Sequence, residues 1–400
     1  MRFHGQKDDA DAQQLTPAVV VGGSLNALGV VRSLSVGRMP IFVLDTARTC
    51  AAGWSRYCRI VSTPSLDGEA LVTALVHLAE RLARRAVLVL TSDQCVAVVS
   101  AHRRELESLY RFSLPSDEMV RALADKTLFH ALAEREHFEV PMGVCIASAD
   151  DLERLSCLQP PLIIKPADKT LVLRGLVDRV LRANSIAEAR EACARMLVHA
   201  PEIIVQEWID GPDSELLFTL FACDSDGKPL GFFHGRKLLV DPPGVGTTAI
   251  CRAAPEVARE LLPLTERFIA QVGYRGLGSL EFKRDRQRNR LVIIEPTVGR
   301  TDWQSEIATL CGVNLPLSLY RAELGLPPTT PQPLAPVVWR SSAGYRADVG
   351  AGTRTVDGFF RRSDPLPACY HYLYERGLMR VWRKLVRVFA NPALLRNTRA

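Results

Sequence analysis

The sequence predicts a mixed chain, α/β in its first part and α+β in the remainder. From residue 17 to about residue 115, short apolar runs alternate with stretches of helical spacing, as crossover-connected parallel strands require. From about residue 116 the apolar runs are joined by tight polar turns, the mark of antiparallel hairpins. A length of 400 residues suits two or three packed domains.

The first domain, 17–115, opens on Ala18-Val19-Val20-Val21 and a Gly22-Gly23 turn. Leu25, Leu28, Val31 and Leu34 then recur on one helical face. Ile41–Leu44, Arg59–Thr63 and Ala86–Leu90 read as further strands, and Leu71, Leu75, Leu78 and Leu82 as a second helical stripe. Together they make a small Rossmann-like domain. The second domain, 116–325, starts with a helix carrying Met119, Leu123, Phe129 and Leu132, with Lys126 among them. Strands are expected to end at Lys165 and to lie near Gly175–Leu181, Ile203–Ile209, Leu216–Ala222 and Pro229–Leu239. Ser185 and Glu188 form a capping box for a helix reaching about His199. A helix over Pro255–Val272 precedes the strands Leu277–Lys283 and Leu291–Glu295, which flank the charged turn Arg284–Arg290. Five prolines in Pro327–Pro336 read as a stiff connection, so 326–400 is expected to be a linker and a basic tail. Residues 1–16 are polar and are expected to be disordered.

Apolar residues make up 47% and charged residues 24%, close to globular averages. The net charge of +6 has a location. Arg376, Arg380, Arg383, Lys384, Arg387, Arg396 and Arg399 occupy a stretch without an acid, and the rest of the chain is close to neutral. This excludes a nucleic-acid footprint spread over the whole surface. The 10 cysteines form no C-x-x-C pair and sit mostly in apolar runs, so they read as reduced core residues. With neither a signal-like start nor an apolar run long enough to span a bilayer, the cytoplasm is the expected location.

The residues that can carry chemistry lie at strand ends. Glu281 and Glu295 each follow an apolar run, and the turn between their strands brings them side by side. Two acids on adjacent, mostly buried strands repel unless something positive separates them. Mg²⁺ bound also by nucleotide phosphates fits, because it takes one or two carboxylates plus phosphate oxygens. A pairing of Glu281 with Lys283 or an arginine fits equally. Lys165 closes Leu162-Ile163-Ile164 and needs an anion there, for which phosphate is suitable. Lys126, taken alone, reads as a snorkelling surface lysine. In Gln206-Glu207-Trp208-Ile209-Asp210-Gly211 a strand runs into a sharp turn, where backbone can pair with an adenine and Trp208 and Ile209 can flank the ring.

Taken in order, Asp125-Lys126, Ile164-Lys165-Pro166, Gln206-Glu207-Trp208-Ile209, Leu280-Glu281-Phe282 and Ile294-Glu295-Pro296 resemble the ATP-grasp superfamily, in particular its carboxylate–amine ligase branch with the D-aspartate ligase-like proteins. The resemblance covers roughly residues 17–325. It implies an ATP-grasp fold preceded by a Rossmann-like domain. It also implies an enzyme that forms an amide or peptide bond through an acyl-phosphate, with ATP and Mg²⁺ or Mn²⁺ as cofactors. Lys126 and Lys165 would hold phosphates, Gln206 to Ile209 would line the adenine hinge, and Glu215 would reach the ribose. Glu281 and Glu295, with Thr297, would ligate the metal. Arg236, Lys237 and Arg300 would face the reacting carboxylate. The partners implied are ATP, a small carboxylic acid and an amine, with amino acids among the candidates; a homodimer stays open.

Two departures accompany the resemblance. Thr297 stands where the family usually has Asn, and 167–174, the place of a glycine-rich phosphate lid, holds no glycine. They suggest the alternative of a weakened relative that binds nucleotide without ligating. A Rossmann oxidoreductase is disfavoured, because Gly22-Gly23-Ser24-Leu25-Asn26-Ala27 misses the G-x-G-x-x-G spacing even with Asp45 available as a ribose acid. That turn reads as structural or as a wall on the substrate side. Asp241–Thr248 reads as an ordinary loop or a substrate lid. The tail around Met379–Phe389 reads as a helix packed on the body, with peripheral membrane contact as the alternative.

Overall fold

The architecture was obtained as a computed structural model. It describes residues 16–46, 50–167, 177, 178, 180–332, 334–347 and 353–378. The expectations for the N-terminus up to residue 15, for the loop 168–174, for residues 175, 176 and 179 and for the tail beyond Leu378 lie outside the described residues; of the strand expected near 175–181, 177, 178 and 180 are not strand, which begins at Leu181.

The first domain is a five-stranded, all-parallel sheet ordered β3-β2-β1-β4-β5. Its strands are β1 (Ala18–Val21), β2 (Ile41–Asp45), β3 (Arg59–Ser62), β4 (Ala86–Leu90) and β5 (Tyr110–Arg111), with helices α1 (Leu25–Ser35), α2 (Gly68–Arg81), α3 (Asp93–Ala101) and α4 (Arg103–Leu109). Both faces of β1 and β4 are covered, so their residues are apolar without alternation, as a doubly wound sheet demands.

The expected single helix around Lys126 is two: α5 (Asp117–Ala124) and α6 (Lys126–Arg135). Asp125 causes the break. It adopts an extended backbone, and its carboxylate accepts from Thr127 N and Leu128 N, which caps α6. Lys126 is thereby the first residue of a helix.

A four-stranded sheet ordered β6-β9-β7-β8 follows, made of β6 (Gly143–Ile146), β7 (Leu162–Pro166), β8 (Leu181–Ala183) and β9 (Ile203–Glu207). It is backed by α7 (Ile186–Leu197), whose first turn Ser185 caps through Glu188 N. The largest sheet has seven strands, ordered β14-β13-β10-β11-β12-β15-β16. Its hairpins are built from β10 (Leu216–Cys223), β11 (Pro229–Asp241), β12 (Thr247–Ala253), β13 (Gly276–Asp285) and β14 (Arg290–Val298), with α8 (Ala258–Val272) on one face. All eight residues of β10 are buried. Leu217 and Phe221 point into the core shared with α3 and α8, whereas Phe218 and Leu220 point into the core shared with α1. One strand thus divides two hydrophobic cores.

The chain after the prolines does more than trail away. Val338–Arg340 (β15) pairs antiparallel with β12, Thr355–Asp357 (β16) runs parallel to β15, and Trp339 is 1% exposed. This segment is anchored to α1 by Arg32, whose guanidinium donates to Gly358 O, Phe359 O and the Asp364 carboxylate. Among the described residues, no helix is long and apolar enough to cross a membrane.

Asn26 on α1 joins the first domain to the loop after β14. Its amide donates to Thr91 O and Thr301 O, and its carbonyl accepts from Thr301 Oγ1 at 2.6 Å. Ser305 Oγ donates to the same carbonyl, and Thr301 O also accepts from Arg300, so Asn26→Ala takes a partner from Thr91 O, Thr301 Oγ1 and Ser305 Oγ and should cost about 2–4 kcal/mol of unfolding free energy, measured by urea denaturation. A loss below about 0.5 kcal/mol would show that the two domains are joined by other contacts.

Candidate active site

The sequence places Glu281 and Glu295 at strand ends; in the structure both strands continue past them. They sit in mid-hairpin, directly opposite each other, with a bulge immediately after Glu281. Bulges re-aim side chains. This one shifts the register so that Phe282 pairs with Ile293 and Ile294 is left over. Lys237 on β11 reaches across β10 to form an ion pair with Glu281. Neither Lys283 nor an arginine fills that role. Lys283 lies instead over the Trp208 ring, 4.9 Å from its centroid. Burial pulls the Lys283 amine below its usual range, against the carboxylates of Asp213, Asp210 and Glu281.

These groups line one cleft of about 430 Å³ between the four-stranded and seven-stranded sheets. Lys126 and Lys165 enter from the smaller sheet's side. Lys126 donates to Pro166 O at 3.1 Å and Lys165 to Gln206 Oε1 at 3.4 Å. Because the break at Asp125 starts a helix there, Lys126 is turned into the cleft and does not snorkel. Ile163, Ile209, Leu216 and Ile294 give apolar walls. The Trp208 ring is engaged by Lys283 and by Arg182, 5.0 Å from its centroid. Its indole N–H is buried with no acceptor among the described residues, an orphan donor that a ligand would satisfy. The Glu207 carboxylate is bound by Arg288 at 2.7 Å and by Gln159 N at 3.0 Å, while its own N–H and that of Trp208 donate to Met142 O and Pro161 O.

Two expected residues are not brought in. Arg236 neighbours Lys237 on a strand and so takes the opposite face, where it donates to Ser214 O and lies 3.7 Å from Glu256. Its cross-strand partner Leu217 belongs to the core on that side. Glu215 is paired with Arg286 at 2.6 Å and does not line the cleft.

Other residues of the cleft were not singled out from the sequence. Asp93, the first residue of α3, holds Arg300 at 2.5 Å. Burial opposes the charge of Arg300, but Asp93 and Asp302 overcome it and keep the guanidinium firmly protonated. Asp302 accepts from Thr297 Oγ1 at 2.8 Å and Ser279 Oγ at 2.6 Å. Thr297 is therefore on the cleft, but its hydroxyl proton is committed to Asp302. Asp93 comes shortly after the apolar run Ala86–Leu90, as Glu281 and Glu295 come after apolar runs in the sequence, and that pattern could have found it. Asp302 follows no such run.

The Gly22-Gly23 turn is closed by protein. A Cβ on Gly22 would lie 2.4 Å from Thr91 Oγ1, and one on Gly23 would lie 2.3 Å from Cys50 Sγ and 2.6 Å from Asp45 Oδ2. The loop 241–248 covers part of the cleft. Gly244 packs on Trp208, and its N–H donates to Asp213 at 3.2 Å.

Among the described residues, no three His, Cys, Asp or Glu side chains cluster to hold a metal by themselves. The donor set on offer is a carboxylate pair flanked by lysines, which fits a divalent cation that also takes phosphate oxygens. Removing the lysine tests that electrostatic balance. Lys237→Met should destabilise the protein by about 1–3 kcal/mol, and adding Glu281→Gln should recover most of the loss. Strict additivity in this double-mutant cycle would contradict the coupling.

No family model matches the chain. It is similar to D-aspartate ligase of Enterococcus faecium (strain Aus0004), with 21% identity over 315 residues and 74% of each chain covered. Among solved structures it is similar to an ADP complex of purK, N5-carboxyaminoimidazole ribonucleotide synthetase, at a TM-score of 0.64 and 16% identity over 81% of each chain. It is also similar to a biotin carboxylase–nucleotide complex from Campylobacter jejuni, at a TM-score of 0.62 and 14% identity. That match covers 82% of this chain and 76% of the other. The chain has the ATP-grasp fold preceded by a Rossmann-like domain, in the arrangement of these nucleotide-bound enzymes and with sequence similarity to D-aspartate ligase.

Proposed function

We propose that this chain is an ATP-dependent ligase that joins a carboxylic acid to an amine through an acyl-phosphate, releasing ADP and phosphate. The observation that carries the reading is the cleft itself. Opposed Glu281 and Glu295 on one wall face Lys126 and Lys165 on the other, with Lys237 paired to Glu281 and Arg300 lining the same cleft. The similarity to D-aspartate ligase supports an amino acid as one of the two substrates joined. The nucleotide complexes of the structural neighbours support ATP in the cleft between the sheets.

In this reading Lys126 and Lys165 bind phosphate oxygens, and the apolar walls with the backbone at Glu207–Ile209 hold the base. A Mg²⁺ ion held by Glu281 and Glu295 would neutralise charge on the transferred phosphoryl group. Arg300, fixed by Asp93 and Asp302, and Lys237 stabilise the charge gathering as the acid's carboxylate attacks. The amine then displaces phosphate from the acyl-phosphate. The chain's main tasks are to align the two reactants and exclude water.

A screen of phosphate release over a matrix of acids and amines with MgATP tests the reading. Turnover should require an acid and an amine together. Glu295→Gln and Lys165→Ala should each lower it by about a hundredfold or more. Full activity in either variant would contradict the assignment. The commitment of Thr297 to Asp302 supports a second reading, nucleotide binding without ligation. MgATP binding with no turnover for any pair would favour it.

A further inference from the structure

We propose that the end of the parallel sheet remote from the cleft is a docking face for an anionic lipid bilayer. A groove of about 660 Å³ there is lined by Arg38, Arg56, Arg59, Arg81 and Arg84, and by no acidic residue. All five arginines are exposed, and none has an ion-pair partner among the described residues. On a body close to neutral, such a concentration is a local positive field. Arg38 sharpens the point. It sits just past α1 at φ 59°, a left-handed position that glycine fills most easily. The backbone there tolerates an arginine at a cost in strain.

The groove lies where β1, β2 and β3 begin, whereas Asp93 and the cleft lie where β4 ends. A surface bound at the groove therefore leaves the cleft open. The surroundings select the occupant. Val36, two residues before Arg38, is 66% exposed, and Trp54, two residues before Arg56, is 42% exposed. Exposed aliphatic and aromatic side chains beside arginines suit the boundary between headgroups and acyl chains. A nucleic acid would make no use of Val36. This inference does not depend on the ligase reading.

Co-sedimentation of the full chain with vesicles tests it. Vesicles of phosphatidylcholine with about one-third phosphatidylglycerol should bind the protein, and pure phosphatidylcholine vesicles should not. Binding should weaken as salt is raised. Arg38→Gly, Arg59→Ser and Arg84→Ser together should lower partitioning by about tenfold or more. The charge-matched set Arg104→Ser, Arg190→Ser and Arg259→Ser should leave it unchanged. Arg38→Gly alone should weaken vesicle binding without lowering the melting temperature, which separates docking from folding. Equal binding to both vesicle types would overturn the proposal, as would groove substitutions without effect. So would groove-dependent binding of a single-stranded RNA oligonucleotide in the absence of vesicle binding.

Discussion

Two carboxylates face each other across paired strands, and much of this molecule is arranged around that juxtaposition. At the ~5 Å spacing of opposed side chains, and an effective dielectric near 20, two like charges repel by about 3 kcal/mol. Lys237 offsets part of this through Glu281. It can do so because β10 is narrow in content: Phe218 lies between Gly235 and Glu281, and Gly235 has no side chain to collide with the Phe218 ring, 2.2 Å from where a Cβ would stand. The ammonium two residues further on is then free to cross. The remaining positive groups come from other elements: Lys126 from the start of a helix, Lys165 from a separate sheet and Arg300 from the loop after β14.

The Rossmann-like domain takes part in this arrangement. It supplies Asp93, which fixes Arg300, and Asn26, which ties the loop carrying Arg300 to the first sheet. The segment after the prolines extends the large sheet and is held against α1 by Arg32, Glu306, Arg361 and Asp364. Buried ion groups of this kind cost desolvation; here they fix the position of a segment that also buries Val337, Trp339, Val356 and Phe359 in the core shared with α1. Asp93 and the loop after β14, far apart in sequence, thus meet at the Arg300 guanidinium.

Much of this was legible in the sequence, for physical reasons that can be named. Strands buried on both faces announce themselves as unbroken apolar runs, so β1, β4 and β10 were plain. Charged residues terminating such runs, Lys165 and Glu295 among them, stand out because burial makes them costly. What was hidden depended on geometry across the fold. The break at Asp125 replaces one helix by two, and apolar periodicity passes through it unchanged. The opposite facing of Arg236 and Lys237 follows from strand alternation, which a contiguous motif conceals. Asp302 is held by hydroxyls at Thr297 and Ser279, a contact that no local pattern encodes. The pairing of β15 with β12 joins residues separated by the proline run, and three-residue strands give almost no signal.

In the proposed reading, a divalent cation is shared by the carboxylate pair and a triphosphate. Anomalous diffraction from crystals grown with Mn²⁺ and a non-hydrolysable ATP analogue tests this directly. The prediction is a manganese peak within coordination distance of both Glu281 and Glu295, with the analogue's phosphates completing its ligands and reaching towards Lys126 and Lys165. A manganese peak bound elsewhere, or a nucleotide seated outside the cleft with the two glutamates unengaged, would contradict it.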